Sequence, residues 1–408
     1  MSEKPWGYQK PTQRPEPDWE LDPQTQSVRA GLARSGFGET SEALYLNSGF
    51  TYESAEQATA SFAEETDHFL YSRFHNPTVA MFENRLAAIE GAEKCVATGS
   101  GMAAMFASIA SLVSAGDRIV ASAAMFSSCH VVLTEILPKW GIETVLVKSD
   151  DAEGWKRELS KPTKVVFIES PSNPLLEITD IAYVSSLAHK VGATVIVDNV
   201  MASPVLQKPL QLGADVVMYS ATKHIDGQGR VLGGAILGSE EYFSQFLLPF
   251  LRHTGPSLSP FNAWVLLKSL ETMNMRVDHM VKSAAAIAEF LEGNKKILKV
   301  SYPGLRTHPG HALAMKQMNN QGGSLLAFEV SGGEKEAFSL INKLRVIDIS
   351  NNLGDSKTLI THPSSSTHRR LSPEVQAEMG ITSGTLRLSV GLEATSDLIK
   401  DLEAALRS

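Results

Sequence analysis

The sequence predicts an α/β chain: a large domain on a mostly parallel, seven-stranded sheet, then a smaller α+β domain. Three observations predict it. From about residue 93, short β-branched and aliphatic runs alternate with helical stretches, and near-continuous apolar strands of that kind belong in a sheet covered on both faces. After Pro260 the alternation stops, and a long helical region leads into widely spaced strand-like runs. The chain has 408 residues, enough for two domains at roughly 150 residues each.

Residues 1 to about 30 are rich in proline, glutamine and charge and read as an extended arm, either a tail or a strap over a partner subunit. The large domain's strands are expected at Lys94–Thr98, Arg118–Ala121, Thr144–Val147, Lys164–Glu169, Thr194–Asp198, Asp215–Tyr219 and Gly234–Leu237. Met102–Ser114, Cys129–Lys139 and Ile181–Val191 read as helices between them. Further on, a helical region covers Ala263–Leu291, strand-like runs cover Leu325–Val330 and Leu386–Val390, and amphipathic helices cover Glu334–Asn342 and Ser396–Leu406. The expected division is an N-terminal arm over 1–74, a large domain over 75–265 and a C-terminal α+β domain over 266–408.

Composition excludes several functions. Lys and Arg number 37 against 45 Asp and Glu, a net charge of −8, which disfavours nucleic acid and membrane surfaces as partners. Two cysteines, Cys95 and Cys129, are too few for a disulfide framework and fit a reducing compartment. The first residues lack the apolar core of a signal peptide, and Met102–Ala115 is too short and too interrupted by serine to span a bilayer. A cytoplasmic protein is expected.

The sharpest local feature is Ser220-Ala221-Thr222-Lys223-His224, directly after a strand. Ligands of open α/β sheets gather at the carboxyl ends of strands, and a lysine there could hold phosphate or join an aldehyde cofactor. Val195-Ile196-Val197-Asp198 likewise ends an apolar strand in an acid, so one cofactor ring could touch both Asp198 and Lys223. In Gly99-Ser100-Gly101-Met102-Ala103-Ala104 a strand turns into a helix whose first amides would bind phosphate. Those letters also match G-x-G-x-x-A, leaving a dinucleotide fold open, although the next strand ends at Ser122 where a ribose-binding acid would stand. The glycines from Gly227 to Gly234 lack nucleotide-loop spacing and read as a flexible segment beside Lys223. His308, His311, His362 and His368 lack the helical spacing and acid neighbours of a metal site, so no metal is expected. Arg387 interrupts an apolar strand, where its fork can grip a carboxylate or form a structural ion pair.

These residues, with Tyr71-Ser72-Arg73-Phe74-His75-Asn76-Pro77-Thr78, Glu169-Ser170-Pro171-Ser172-Asn173-Pro174 and Arg387–Glu393, resemble the Cys/Met-metabolism family of pyridoxal-phosphate enzymes, those built like cystathionine γ-synthase and methionine γ-lyase. The resemblance runs from about Thr25 to the C-terminus and implies the fold-type I architecture. It implies that Lys223 joins the cofactor aldehyde and moves protons, and that Asp198 pairs with the ring nitrogen. The Gly101 and Met102 amides, with the Ser220 and Thr222 hydroxyls, would hold the phosphate. Tyr71 and Arg73 would reach the phosphate of a neighbouring subunit, implying a dimer that pairs into a homotetramer. Asn173 would contact the phenolic oxygen and Arg387 the substrate α-carboxylate.

Asp226–Arg230, Phe250–Trp264 and Asn352–Thr358 resemble the family's sulfhydrylases acting on O-succinylhomoserine. That implies γ-replacement, with sulfide displacing succinate to give homocysteine, a step toward methionine. Phe126 stands where the family's lyases stack a tyrosine on the ring, and it keeps the stacking surface without an acidic hydroxyl. Asn352 stands where lyases have a serine near the substrate. Both departures suit a replacement enzyme. Cystathionine γ-synthase, O-acetylhomoserine sulfhydrylase and methionine γ-lyase remain alternatives, and outside that chemistry stand a non-catalytic binding protein of the same fold and a nicotinamide dehydrogenase.

Overall fold

Seven strands form the first sheet: β1 (Lys94–Thr98), β2 (Arg118–Ser122), β3 (Glu143–Val147), β4 (Val165–Glu169), β5 (Thr194–Asp198), β6 (Val216–Ser220) and β7 (Gly234–Gly238). The computed structural model describes residues 21–407. The strands lie side by side in the order β1-β7-β6-β5-β4-β2-β3. All neighbours run parallel except β7, which is antiparallel to both β1 and β6. Successive side chains of one strand enter opposite cores. Val165 and Phe167 pack with helix Gly101–Ala110, while Val166 and Ile168 pack with helix Ile181–Ala188. Both faces are therefore covered, which is why these strands read as unbroken apolar runs.

The second sheet holds β8 (Ile297–Ser301), β9 (Leu325–Val330), β10 (Asp348–Ile349), β11 (Leu359–Thr361) and β12 (Thr385–Ser389), in the order β10-β11-β12-β9-β8. Helices Met273–Glu292 and Thr395–Arg407 cover it. The long helical region divides into Pro260–Leu270 and Met273–Glu292, so the expected border at residue 265 falls inside a helix.

Three expectations need correction. The region read as an extended arm contains helix Pro23–Arg29, started by Asp22, whose Oδ1 accepts from the Gln24 amide at 2.8 Å, and by a proline at the first helical position. Fully buried Arg85 fixes this stretch to the body: Nε donates to the Ala30 carbonyl at 2.9 Å and Nη2 pairs with Glu42 at 2.5 Å. Residues 1–20 of the arm lie outside the described residues. The helix expected over Cys129–Lys139 is regular only over Ser127–Val131, then widens over Val132–Ile136 and tightens over Leu137–Trp140. Pro138 has no amide to donate, which ends the regular pattern. The glycines after Lys223 are not loose. Buried Asp226 accepts from the Arg230 amide at 2.6 Å and from Arg230 Nε at 3.0 Å. Gly227 (φ +65°) lies so close to Arg276 that a β-carbon would collide with its guanidinium. Among the described residues no helix is long and apolar enough to cross a membrane.

Candidate active site

The carboxyl ends of β4, β5 and β6 open into one cavity of about 270 Å³, lined by Lys223, Asp198, Gly101, Met102, Ser220, Thr222, Phe126, Asn173 and Arg387. Nine predicted residues thus meet at the edge where open α/β sheets collect ligands. The tenth, Asn352, joins through Oδ1, which accepts from Lys223 Nζ at 2.5 Å.

One end of the cavity suits an anion. Ser100 Oγ accepts from the Ala103 amide at 3.1 Å and starts helix Gly101–Ala110, leaving the first amides without helical partners. A β-carbon on Gly101 would lie 2.4 Å from Ser220 Cβ, so glycine alone lets this helix end meet β6. Thr222 Oγ1 is held by the Gly233 amide at 3.2 Å. The Ser220 and Thr222 side chains complete a small polar cradle.

In the middle stand an amine and an acid. Burial, followed by the positive charge of Arg387, lowers the Lys223 amine to about 8. His224 fixes the lysine's loop, with Nδ1 3.1 Å from the Val200 carbonyl and Nε2 2.7 Å from Ser324 Oγ. Burial lowers that imidazole to about 4, so it is neutral at physiological pH. Asp198 Oδ1 accepts from the Val200 amide at 3.0 Å, and burial pushes its carboxyl up. A protonated ring nitrogen against it would reverse that shift.

At the far side, Arg387 is 2% exposed. Nη1 donates to Asn173 Oδ1 at 2.9 Å, Nη2 donates to the Asn351 and Asn352 carbonyls at 2.9 and 3.1 Å, and buried Nε has no partner among the described residues. Arg387 also lines the cavity, and a guanidinium there is a group that a substrate carboxylate could pair with. Phosphate cradle, buried acid, amine and buried guanidinium together fit pyridoxal 5′-phosphate carrying an amino acid.

Tyr71 and Arg73 are not brought to this cavity. Tyr71 is 43% exposed, and the Arg73 guanidinium lies 4.4 Å over the Phe74 ring and donates to the Arg252 carbonyl. Conversely, Glu169, Met218, Cys129 and Thr367 line the cavity and carried no role in the sequence reading. Glu169 stood inside a quoted motif but looked like the end of a buried strand. Thr367 comes from a loop without periodicity.

The lowered Lys223 amine gives a testable pH dependence. Only the neutral amine attacks an aldehyde, so the cofactor-free chain should take up pyridoxal phosphate at a rate that climbs through about pH 8 and flattens above it. Stopped-flow absorbance measures this, and a rate still climbing toward the ordinary lysine range near 10.4 would refute it.

The family model for Cys/Met metabolism PLP-dependent enzymes matches residues 24–407. An O-succinylhomoserine sulfhydrylase of Mycobacterium tuberculosis is 54% identical over 386 residues, 94% of this chain and 95% of that protein. One of Pseudomonas aeruginosa is 45% identical over 382 residues, 94% of each. Among solved structures, cystathionine γ-synthase of Xanthomonas oryzae pv. oryzae, in complex with aminoacrylate and cysteine, is 35% identical with a TM-score of 0.91, over 95% of this chain and 98% of that one. A match over nearly the whole length, in sequence and in fold, leaves the dinucleotide alternative without support, and the chain belongs to the Cys/Met-metabolism family of PLP-dependent enzymes.

Proposed function

We propose that this chain catalyses γ-replacement: O-succinylhomoserine and hydrogen sulfide give homocysteine and succinate. The observation that carries the chemistry is the amine of Lys223 set between Asp198, the phosphate cradle and the Arg387 fork. The choice of substrates rests on the full-length likeness to two sulfhydrylases. Pyridoxal phosphate, when bound, supplies an aldehyde for amino groups and a ring that draws electrons from the substrate's α-carbon.

The chain's own residues do the rest. The cradle of Gly101, Met102, Ser220 and Thr222 would anchor the phosphate, and Asp198 would keep positive charge on the ring nitrogen. Phe126, which lines the cavity, would stack on the ring and, having no hydroxyl, would neither give nor take a proton. Arg387 holds the α-carboxylate, which fixes the α- and β-carbons near Lys223 Nζ. Lys223 would carry the proton away from the α-carbon and then one from the β-carbon, and succinate would depart from the γ-carbon as its carboxylate. Hydrosulfide would add there, and Lys223 would return one proton to the β-carbon and one to the α-carbon. Asn352 receives the Lys223 ammonium through Oδ1 and orients it.

The same proposal includes a homotetramer acting in the cytoplasm. Tyr71 and Arg73, exposed in one chain, would complete the phosphate site of a neighbouring subunit. The arm over 1–74 would contact that neighbour, the body over 75–265 would hold the cofactor, and 266–408 would form the C-terminal α+β domain that supplies Arg387. Buried, unpaired Cys95 and Cys129 suit a reducing compartment.

Mass spectrometry of products tests the reading. Purified protein given O-succinylhomoserine should form homocysteine with sulfide and little cystathionine with cysteine. Cystathionine as the main product would make it a synthase, 2-oxobutyrate alone would make it a lyase, and turnover of the acetyl ester only would exchange the leaving acid.

A further inference from the structure

We propose that Glu169 is a positioning residue of this site: its single carboxylate holds the backbone of Phe126 and of Asn173, and so sets the stacking ring and, through Asn173, the Arg387 fork. The inference rests on the reading of the reaction given above. Glu169 is 2% exposed at the end of β4, in register beside Asp198 on β5. Its Oε2 accepts from the Phe126 amide at 2.6 Å, and its Oε1 accepts from the Asn173 amide at 2.7 Å.

Those amides belong to different loops. Phe126 lies between β2 and helix Ser127–Val131, and that helix has no side-chain cap of its own. Asn173 lies in the turn after β4, and its Oδ1 accepts from Arg387 Nη1 at 2.9 Å. One carboxylate therefore ties the ring-stacking loop, the Asn173 turn and, one step removed, the substrate fork to the rigid end of the sheet.

The chemistry calls for a carboxylate in particular. Two N–H donors converge on two oxygens, and an amide side chain offers one oxygen only, so glutamine would turn an –NH₂ against a backbone N–H. Burial and the neighbouring Asp198 disfavour the anion, raising this carboxyl well above its ordinary range, while the two amides and Arg387 oppose that. A buried acid kept beside a second buried acid costs stability, and a strut serving packing alone would be served better by an apolar side chain. The position answers to geometry at the site.

The test compares Glu169→Gln and Glu169→Asp with the wild-type holoenzyme. Visible circular dichroism of the bound cofactor, steady-state kinetics and thermal melting are measured on each. Glu169→Gln should change the cofactor's dichroic band and raise KM for O-succinylhomoserine roughly tenfold to a hundredfold, the scale of one charge-assisted hydrogen bond. Glu169→Asp, which keeps both acceptors, should recover part of each change. An unchanged dichroic band with unchanged KM in Glu169→Gln, whatever its melting temperature, would overturn the proposal, since a packing role moves stability alone. If Glu169→Gln does not fold, Glu169→Asp decides by the same two readouts. If the wild type forms no homocysteine, the reaction assignment fails by itself, and the dichroic band still decides the role of Glu169.

Discussion

Lys223→Ala should lower turnover by about 10³- to 10⁴-fold, the upper part of the range for removing a positioned proton carrier. The protein should still fold and still hold cofactor, because the cradle around Gly101 and the Asp198 carboxylate do not depend on the lysine side chain. Gel filtration followed by absorbance measures retention, and single-turnover assays measure residual chemistry. Activity within tenfold of wild type would remove Lys223 from the mechanism. The variant should also free Asn352, whose Oδ1 bonds Nζ in the intact site.

Asp198→Ala should have the next largest effect and a different signature. Truncating one partner of a buried, hydrogen-bonded charge pair costs about 2–5 kcal/mol, so turnover should fall roughly 30- to several-thousand-fold. Lys223 remains, so cofactor should stay covalently attached, and borohydride reduction should fix it to the chain. Lys223→Ala should show no such fixation. Near-normal turnover in Asp198→Ala would mean that the ring nitrogen needs no anion. The two variants thus separate loss of the proton carrier from loss of the charge that steadies the ring.

How much of this was legible in the sequence depended on contrast. Asp198 and Lys223 stand out because each follows an unbroken apolar strand, and a polar residue at such an end has only the cavity to enter. Arg387 was visible for the same reason, a charge within Leu386-Arg387-Leu388. Glu169 ends a strand in the same way, but its partners are backbone amides, which carry no mark in sequence. The seven strands of the first sheet matched within one residue at each end, since burial on both faces writes itself into composition. Strand Ile297–Ser301 was missed because it lies at a sheet edge with Leu298 and Lys299 exposed, which dilutes the apolar signal. Helix Pro77–Glu90 was missed although Asn76 Oδ1 caps its first amides and left-handed Gly91 ends it. For Tyr71 and Arg73, a single chain cannot supply the second subunit that the resemblance gives them.

The strand order also says when this protein can first bind anything. β1 pairs with one strand only, β7, so Lys94 must wait for Gly238. A nascent chain that has produced β2 to β6 can assemble parallel neighbours among them, but the turn at Gly99–Gly101 then hangs from an unpaired edge. Gly234, where a β-carbon would strike the Ser100 carbonyl oxygen, packs against that turn, and the Pro256 carbonyl then accepts from the Gly99 amide at 2.8 Å. Arg387 arrives later still, from the other sheet. Long-range pairings of this kind close slowly and last. Chains stalled on the ribosome short of β7 should therefore leave pyridoxal phosphate in solution.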